Sequence, residues 1–277
     1  MPTIYSHSRL SSFEKCPKQF HFRYVLKTPV ESESIEAFVG KRVHEILERL
    51  YLFVGQGMVP SLDKVLQRYR AWWDEHYDAE RVRVVREGTP VSFYRGLGER
   101  CLQNYYRRNY PFDADETLGL EERVLVDLDN AGRYKLQGII DRIVRAPDGA
   151  IEIHDYKTGQ YVPSQRQLDE DRQLALYQLG VASKYGHDRS YRLVWHYVAS
   201  AQVRSSSRIP EQLTALRRET ISLIDRIESE TGFAPRKTRL CDWCEYKEIC
   251  PAQSPRARAQ ADTRPTAPRG TPAADWS

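Results

Sequence analysis

The chain has 277 residues, 40% of them hydrophobic and 29% charged, with a formal net charge of +4. That length holds one large domain or two small ones and buries a real core; no run of about 18 consecutive apolar residues occurs, so no membrane-spanning helix and no membrane partner are expected. The first ten residues lack the basic-then-apolar pattern of a secretory signal, which makes the cytoplasm the expected compartment, and the mild positive charge permits a nucleic-acid partner without arguing for one.

Residues 8–26 read as a helix in which Phe13, Phe20, Phe22 and Tyr24 surround Cys16-Pro17. A second helix is expected over 36–54, with Val39, Val43, Ile46, Leu47 and Leu50 on one face and Gly55, Gly57 and Pro60 after it. Two more helical stretches follow at 62–77 and 93–110, separated by a charged stretch, 81–87, with no clear period. The period then changes to strands at 122–129 and 134–145, joined by the turn-forming Asp129-Asn130-Ala131-Gly132, and Pro147-Asp148-Gly149 turns the chain into a third strand at 151–157. A helix over 167–185, a strand over 191–199 and a long helix over 211–230 complete the pattern. Beyond Pro251 the chain is rich in Ala, Pro, Arg, Ser and Thr, so residues 252–277 are expected to be a disordered tail. Helices, three antiparallel strands, then helix–strand–helix describe an α/β or α+β core carrying a helical insertion at about 60–118.

The chemistry concentrates in Gly138-Ile139-Ile140-Asp141-Arg142 and Asp155-Tyr156-Lys157-Thr158-Gly159. Residues two apart on a strand share a face, so Asp155 and Lys157 project together, and Asp141 arrives from the neighbouring strand. Two carboxylates at close range need a cation or a proton between them, and hard oxygen ligands suit magnesium or manganese. The same residues also fit a structural ion pair at a sheet edge. His44, on the amphipathic helix, is a candidate metal ligand, and Gln173 and Tyr177, four apart on a helix, share one face.

Five cysteines in such a chain are not a disulfide framework. Cys241-Asp242-Trp243-Cys244 with Cys250-Pro251 gives two short spacings, and Cys16-Pro17 lies far upstream. Four thiolates suit either zinc or an iron–sulfur cluster, and spacing alone favours zinc as the commoner structural metal. Cys101 falls on an expected helix and reads as a core thiol.

In this order the motifs resemble the RecB-like branch of the PD-(D/E)XK nuclease superfamily. The resemblance covers most of residues 8–251, without the insertion and the tail. It implies a restriction-endonuclease-like α/β fold, with a central mixed sheet flanked by helices. It also implies that His44, Asp141, Asp155 and the Tyr156 backbone carbonyl bind magnesium or manganese, with Lys157, Gln173 and Tyr177 completing the active site. The run Ser8-Arg9-Leu10-x-x-Phe13-x-x-Cys16-Pro17-x-x-Phe20, with Cys-x2-Cys-x5-Cys-Pro near the end, is similar to the iron–sulfur subgroup of AddB-type and CRISPR spacer-acquisition nucleases. That implies a structural [4Fe–4S] cluster on Cys16, Cys241, Cys244 and Cys250, forming a C-terminal iron–sulfur region clamped to the start of the chain. Three positions depart from the family pattern. Ile140 stands where Pro is usual, Asp155 where Glu is common, and Val144 where relatives often carry another acid.

The function expected from the resemblance is hydrolysis of DNA from single-stranded ends, in repair, recombination or foreign-DNA processing. A CRISPR spacer-trimming nuclease is the alternative within the same chemistry. A non-catalytic iron–sulfur DNA-binding module of a helicase–nuclease complex is the alternative of another class. No Gly-x-x-x-x-Gly-Lys-Ser/Thr loop occurs, so unwinding would require a helicase partner.

Overall fold

The computed structural model describes residues 3–129 and 131–253; Asn130 of the expected turn and residues 254–277 of the expected tail lie outside them. The expected first helix is broken. β1 (Ile4–Ser6) leads into α1 (His7–Lys15), capped by Ser6 Oγ, which accepts the Arg9 N–H at 3.1 Å. Cys16 then takes an extended conformation (φ −159°, ψ 107°), and α2 (Pro17–Phe20) starts afresh before a π-helical turn at His21–Val25. The cause is Pro17. Its ring disfavours a helical residue before it, while its own fixed φ suits the first helical position.

α3 (Ile35–Gly55), α4 (Leu62–His76) and α5 (Val91–Asn109) follow, close to the expected bounds. Their apolar faces form one core with Phe38, Leu47, Tyr69, Trp73, Tyr94 and Cys101 at its centre, closed on the sheet side by Tyr156 and Val198. Residues 81–87 contribute only β3 (Val82–Arg83), which pairs in parallel with β2 (Glu33–Ser34).

β4 (Glu116–Asp127), β5 (Lys135–Arg145) and β6 (Ile151–Lys157) form the expected antiparallel meander. The expected helix at 167–185 is two helices, α6 (Gln165–Asp169) and α7 (Gln173–Tyr185). α7 carries the chain to β7 (Tyr191–Tyr197), parallel to β6, and β8 (Gln202–Ser206) pairs antiparallel with β7 before α8 (Pro210–Ser229). The result is a mixed six-stranded sheet, with β1 parallel to the start of β5. A second core lies on the face covered by α1, α7 and α8, where Leu10, Leu136, Ile140, Leu176, Trp195 and Ile224 are buried. The architecture is the α/β one expected, with helices flanking a central sheet. β1 and β8 went unforeseen because one has three residues and the other is polar, as edge strands often are. No helix among the described residues is long and apolar enough to cross a membrane.

Candidate active site

The ladder between β5 and β6 runs from Arg145↔Ile151 to Arg142↔His154 and stops there, one residue short of Asp141 and Asp155. At that point Asp141 takes over the work of the ladder: its Oδ2 accepts the Tyr156 N–H at 2.6 Å. His44 reaches the same spot from α3. Its Nε2 donates to the Tyr156 carbonyl at 2.8 Å, and its Nδ1 lies 3.2 Å from Asp141 Oδ1. With both ring nitrogens facing acceptors, the imidazole holds two protons. Burial works against that charge, but the Asp141 hydrogen bond and the Asp141 and Asp155 charges outweigh it and hold His44 up at about 9.

Asp155 is buried, and Lys157 sits beside it as strand spacing requires, with Nζ 3.0 Å from Oδ1 and 2.8 Å from Oδ2. Gln173, at the start of α7, ties the pair together. Its Oε1 accepts from Lys157 Nζ at 3.0 Å, and its Nε2 donates to Asp155 Oδ1 at 3.1 Å. Burial raises the Asp155 carboxyl, opposed by Lys157; Lys157 itself stays above its ordinary value because Asp155 overcomes its own burial. Asp155 Oδ2 is buried and accepts no aligned hydrogen bond, although the ammonium lies close.

Tyr177 follows Gln173 by one turn of α7, and its phenol is pushed up to about 12 by burial and by the Asp155 and Asp141 charges, against a hydrogen bond from Gln173. Its ring packs against β5 at Gly138, where a Cβ would stand only 2.1 Å from Tyr177 Cε1. Gly138→Ala should therefore push α7 away from the sheet and cost about 1–3 kcal/mol, the usual penalty for overfilling a packed site. Thermal melts of the two proteins test this, and equal melting temperatures would refute the contact.

The tightest cluster was not the one expected. His44, Glu121 and Asp141 each offer a ligand atom within 4.8 Å of the others, the only such triplet among the described residues. Asp155 stands outside it, drawn to Lys157 and Gln173. Glu121 reaches the cluster because it takes a left-handed conformation (φ 44°) within β4, next to a register shift between Thr117 and Gly119. A non-glycine residue in that region costs on the order of 1–3 kcal/mol and persists only where its surroundings impose it. Burial and the nearby Asp141 charge raise the Glu121 carboxyl to about 7. An acid thus reaches this cluster from β4, whereas position 144 on β5 holds a buried valine. The only trace in the sequence is the Glu121-Glu122 doublet, which interrupts the strand alternation after Gly119.

Three carboxylates, an imidazole and a backbone carbonyl form a hard donor set that suits magnesium or manganese. Asp155 Oδ2, which accepts no aligned hydrogen bond, and the strained Glu121, whose carboxyl is raised by burial and the Asp141 charge, fit a site that suits a cation.

Cys16, Cys241, Cys244 and Cys250 line one cavity of about 500 Å³, which Gln173 and His7 also border. Cys16 Sγ accepts the Arg236 N–H and Cys241 Sγ the Thr238 N–H, both at 3.4 Å. Burial pushes the Cys244 thiol up to about 11, with Glu245, Cys250 and Cys16 adding to it. No three of these sulfurs come within 4.8 Å of one another. Cys101 is remote from them, fully buried in the helical core.

A family model of the PD-(D/E)XK nuclease superfamily matches residues 4–251. Among solved structures, the chain is similar to a "Putative exonuclease" from Eubacterium rectale, at 13% identity and a TM-score of 0.52 over 89% of each chain. A second structure, SSO0001, matches at 17% identity over 78% of this chain and 96% of that one, with a TM-score of 0.35. No curated protein matches the chain. The first likeness bears on the fold alone, but the family match spans nearly the whole described structure: the chain belongs to the PD-(D/E)XK nuclease superfamily.

Proposed function

We propose that the protein is a magnesium- or manganese-dependent DNA exonuclease of the RecB-like branch, acting on single-stranded ends, with residues 1–251 working as one nuclease domain. The observation that carries this reading is the convergence of His44, Glu121 and Asp141 beside the Asp155–Lys157–Gln173 triad. A non-catalytic module would have no use for that arrangement.

His44, after giving up one of its two protons, would hold the cation together with Asp141, Asp155 and the Tyr156 carbonyl, with Glu121 as an added ligand. When bound, it supplies a polarised phosphate oxygen and a more acidic water. Lys157 is surrounded by acceptors and kept protonated, so it acts as a fixed positive charge toward the phosphate oxygens rather than as a base. Gln173 aims that ammonium, and Tyr177 seats α7 against β5 so that Gln173 stays in reach.

The four cysteines would hold a [4Fe–4S] cluster. A single zinc, with bonds of about 2.3 Å, needs its sulfurs about 4 Å apart; a four-iron cluster stands between more widely spaced thiolates and gains from N–H···S bonds such as those on Cys16 and Cys241. Its role is structural, joining the α1–α2 break to the C-terminal segment. Single strands for the nuclease would come from a helicase partner, in repair, recombination or foreign-DNA processing.

End-labelled single- and double-stranded DNA, digested with magnesium, with manganese and with a chelator, tests the reading. Cleavage should require the divalent ion and favour the single strand. Glu121→Gln should raise the metal concentration for half-maximal rate by about 10-fold, in the range seen when support for a metal ligand is removed. Chelator-resistant cleavage would refute the metal assignment, and an unchanged metal requirement in Glu121→Gln would remove Glu121 from the site.

A further inference from the structure

Directly after Lys157 the chain leaves β6 and lines a cleft of about 370 Å³, to which Thr158 and Tyr161 contribute from this segment and Phe93 and Tyr94 from α5. The cleft adjoins the carboxylates. A Cβ on Gly40 would lie 3.3 Å from Thr158 Oγ1, and Gly40 also lines the cavity that contains His44 and Glu121. The approach of the Thr158 hydroxyl to Gly40 therefore links the walls of the two spaces.

The cleft is unusual in what it leaves in water. Phe93 is 39% exposed and Tyr161 68% exposed, although Tyr94 beside them is buried. Tyr161 is held in place by its hydroxyl, which donates to Gln167 Oε1 at 3.0 Å. Arg86, at the rim, forms no ion pair among the described residues. Exposed rings beside a free guanidinium are the equipment for stacking a base and meeting its phosphate.

Resting on the nuclease reading above, we propose that this cleft receives one unpaired base of the substrate strand, next to the phosphate positioned at the carboxylates. Phe93 and Tyr161 stack on the base and Arg86 meets the adjoining phosphate. A paired base inside a duplex cannot enter such a cleft without leaving its stack, so the helical insertion that carries Phe93 becomes the source of single-strand selectivity.

The test uses Lys157→Ala protein with a chelator present, so that the DNA stays uncut, and single-stranded oligodeoxynucleotides carrying 2-aminopurine at one position at a time. One position should be strongly quenched. Adding Phe93→Ala or Tyr161→Ala should abolish that quench, leave other positions unchanged and weaken binding by about 10-fold each. Both rings are exposed, so neither change threatens the fold. Equal emission at every position, or no binding at all, overturns the proposal. Position-specific quenching with a wild type that cuts no DNA would keep the base cleft and retire the nuclease, whereas cutting without any quench would do the reverse.

Discussion

Lys157→Ala should lower the rate of single-stranded DNA cleavage by about 10³-fold, within the range usual for losing a positioned charge or proton-transfer group. The expectation rests on how Lys157 is held: Asp155 and Gln173 both accept from its ammonium, which is fixed beside the candidate metal ligands and stays charged. Removing it also strips the buried Asp155 of its counter-charge, so burial would then favour the protonated acid, a poorer ligand. Lys157→Arg separates the two roles. It keeps a positive charge with altered geometry, so electrostatic action predicts partial recovery, whereas action as a base predicts none. End-labelled DNA in magnesium and in manganese provides the measurement. Cleavage by Lys157→Ala at the wild-type rate would defeat the active-site assignment.

The second large effect is expected at Cys16. Purified without oxygen, the wild type should be coloured and carry iron, and Cys16→Ala should lose both. The proposed clamp would close a loop from the α1–α2 break to the C-terminal cysteines, so by analogy with a long-loop disulfide its loss should cost on the order of 5 kcal/mol, a fall in melting temperature of about 10–20 °C. Cys101→Ala is the matched control. Cys101 lies in the helical core, away from the cavity of the other four, so its removal should leave iron content unchanged. A colourless wild type that contains zinc would replace the cluster while keeping the clamp. A folded, metal-loaded Cys16→Ala would remove the clamp altogether.

What was legible in the sequence shares one property: it depends on neighbours along the chain. The apolar stripe of α3 and the three-strand meander follow from helical and strand periods. Asp155 beside Lys157, and Gln173 one turn before Tyr177, follow from fixed backbone geometry. The break at Cys16 was also local, since Pro17 dictates it, but the surrounding aromatic pattern reads as continuous helix. Tertiary structure decided everything that turns on approach from a distance. It brought His44 onto the Tyr156 carbonyl and drew Asp155 toward Lys157 and away from the triplet. It turned Glu121 into that triplet through a strained residue no periodicity predicts, and it brought Phe93 of α5 into one cleft with Tyr161. The physical reason is that side-chain direction along a helix or strand is set by covalent geometry within a few residues. Which elements meet, and in what register, is set by how two cores pack against the two faces of one sheet.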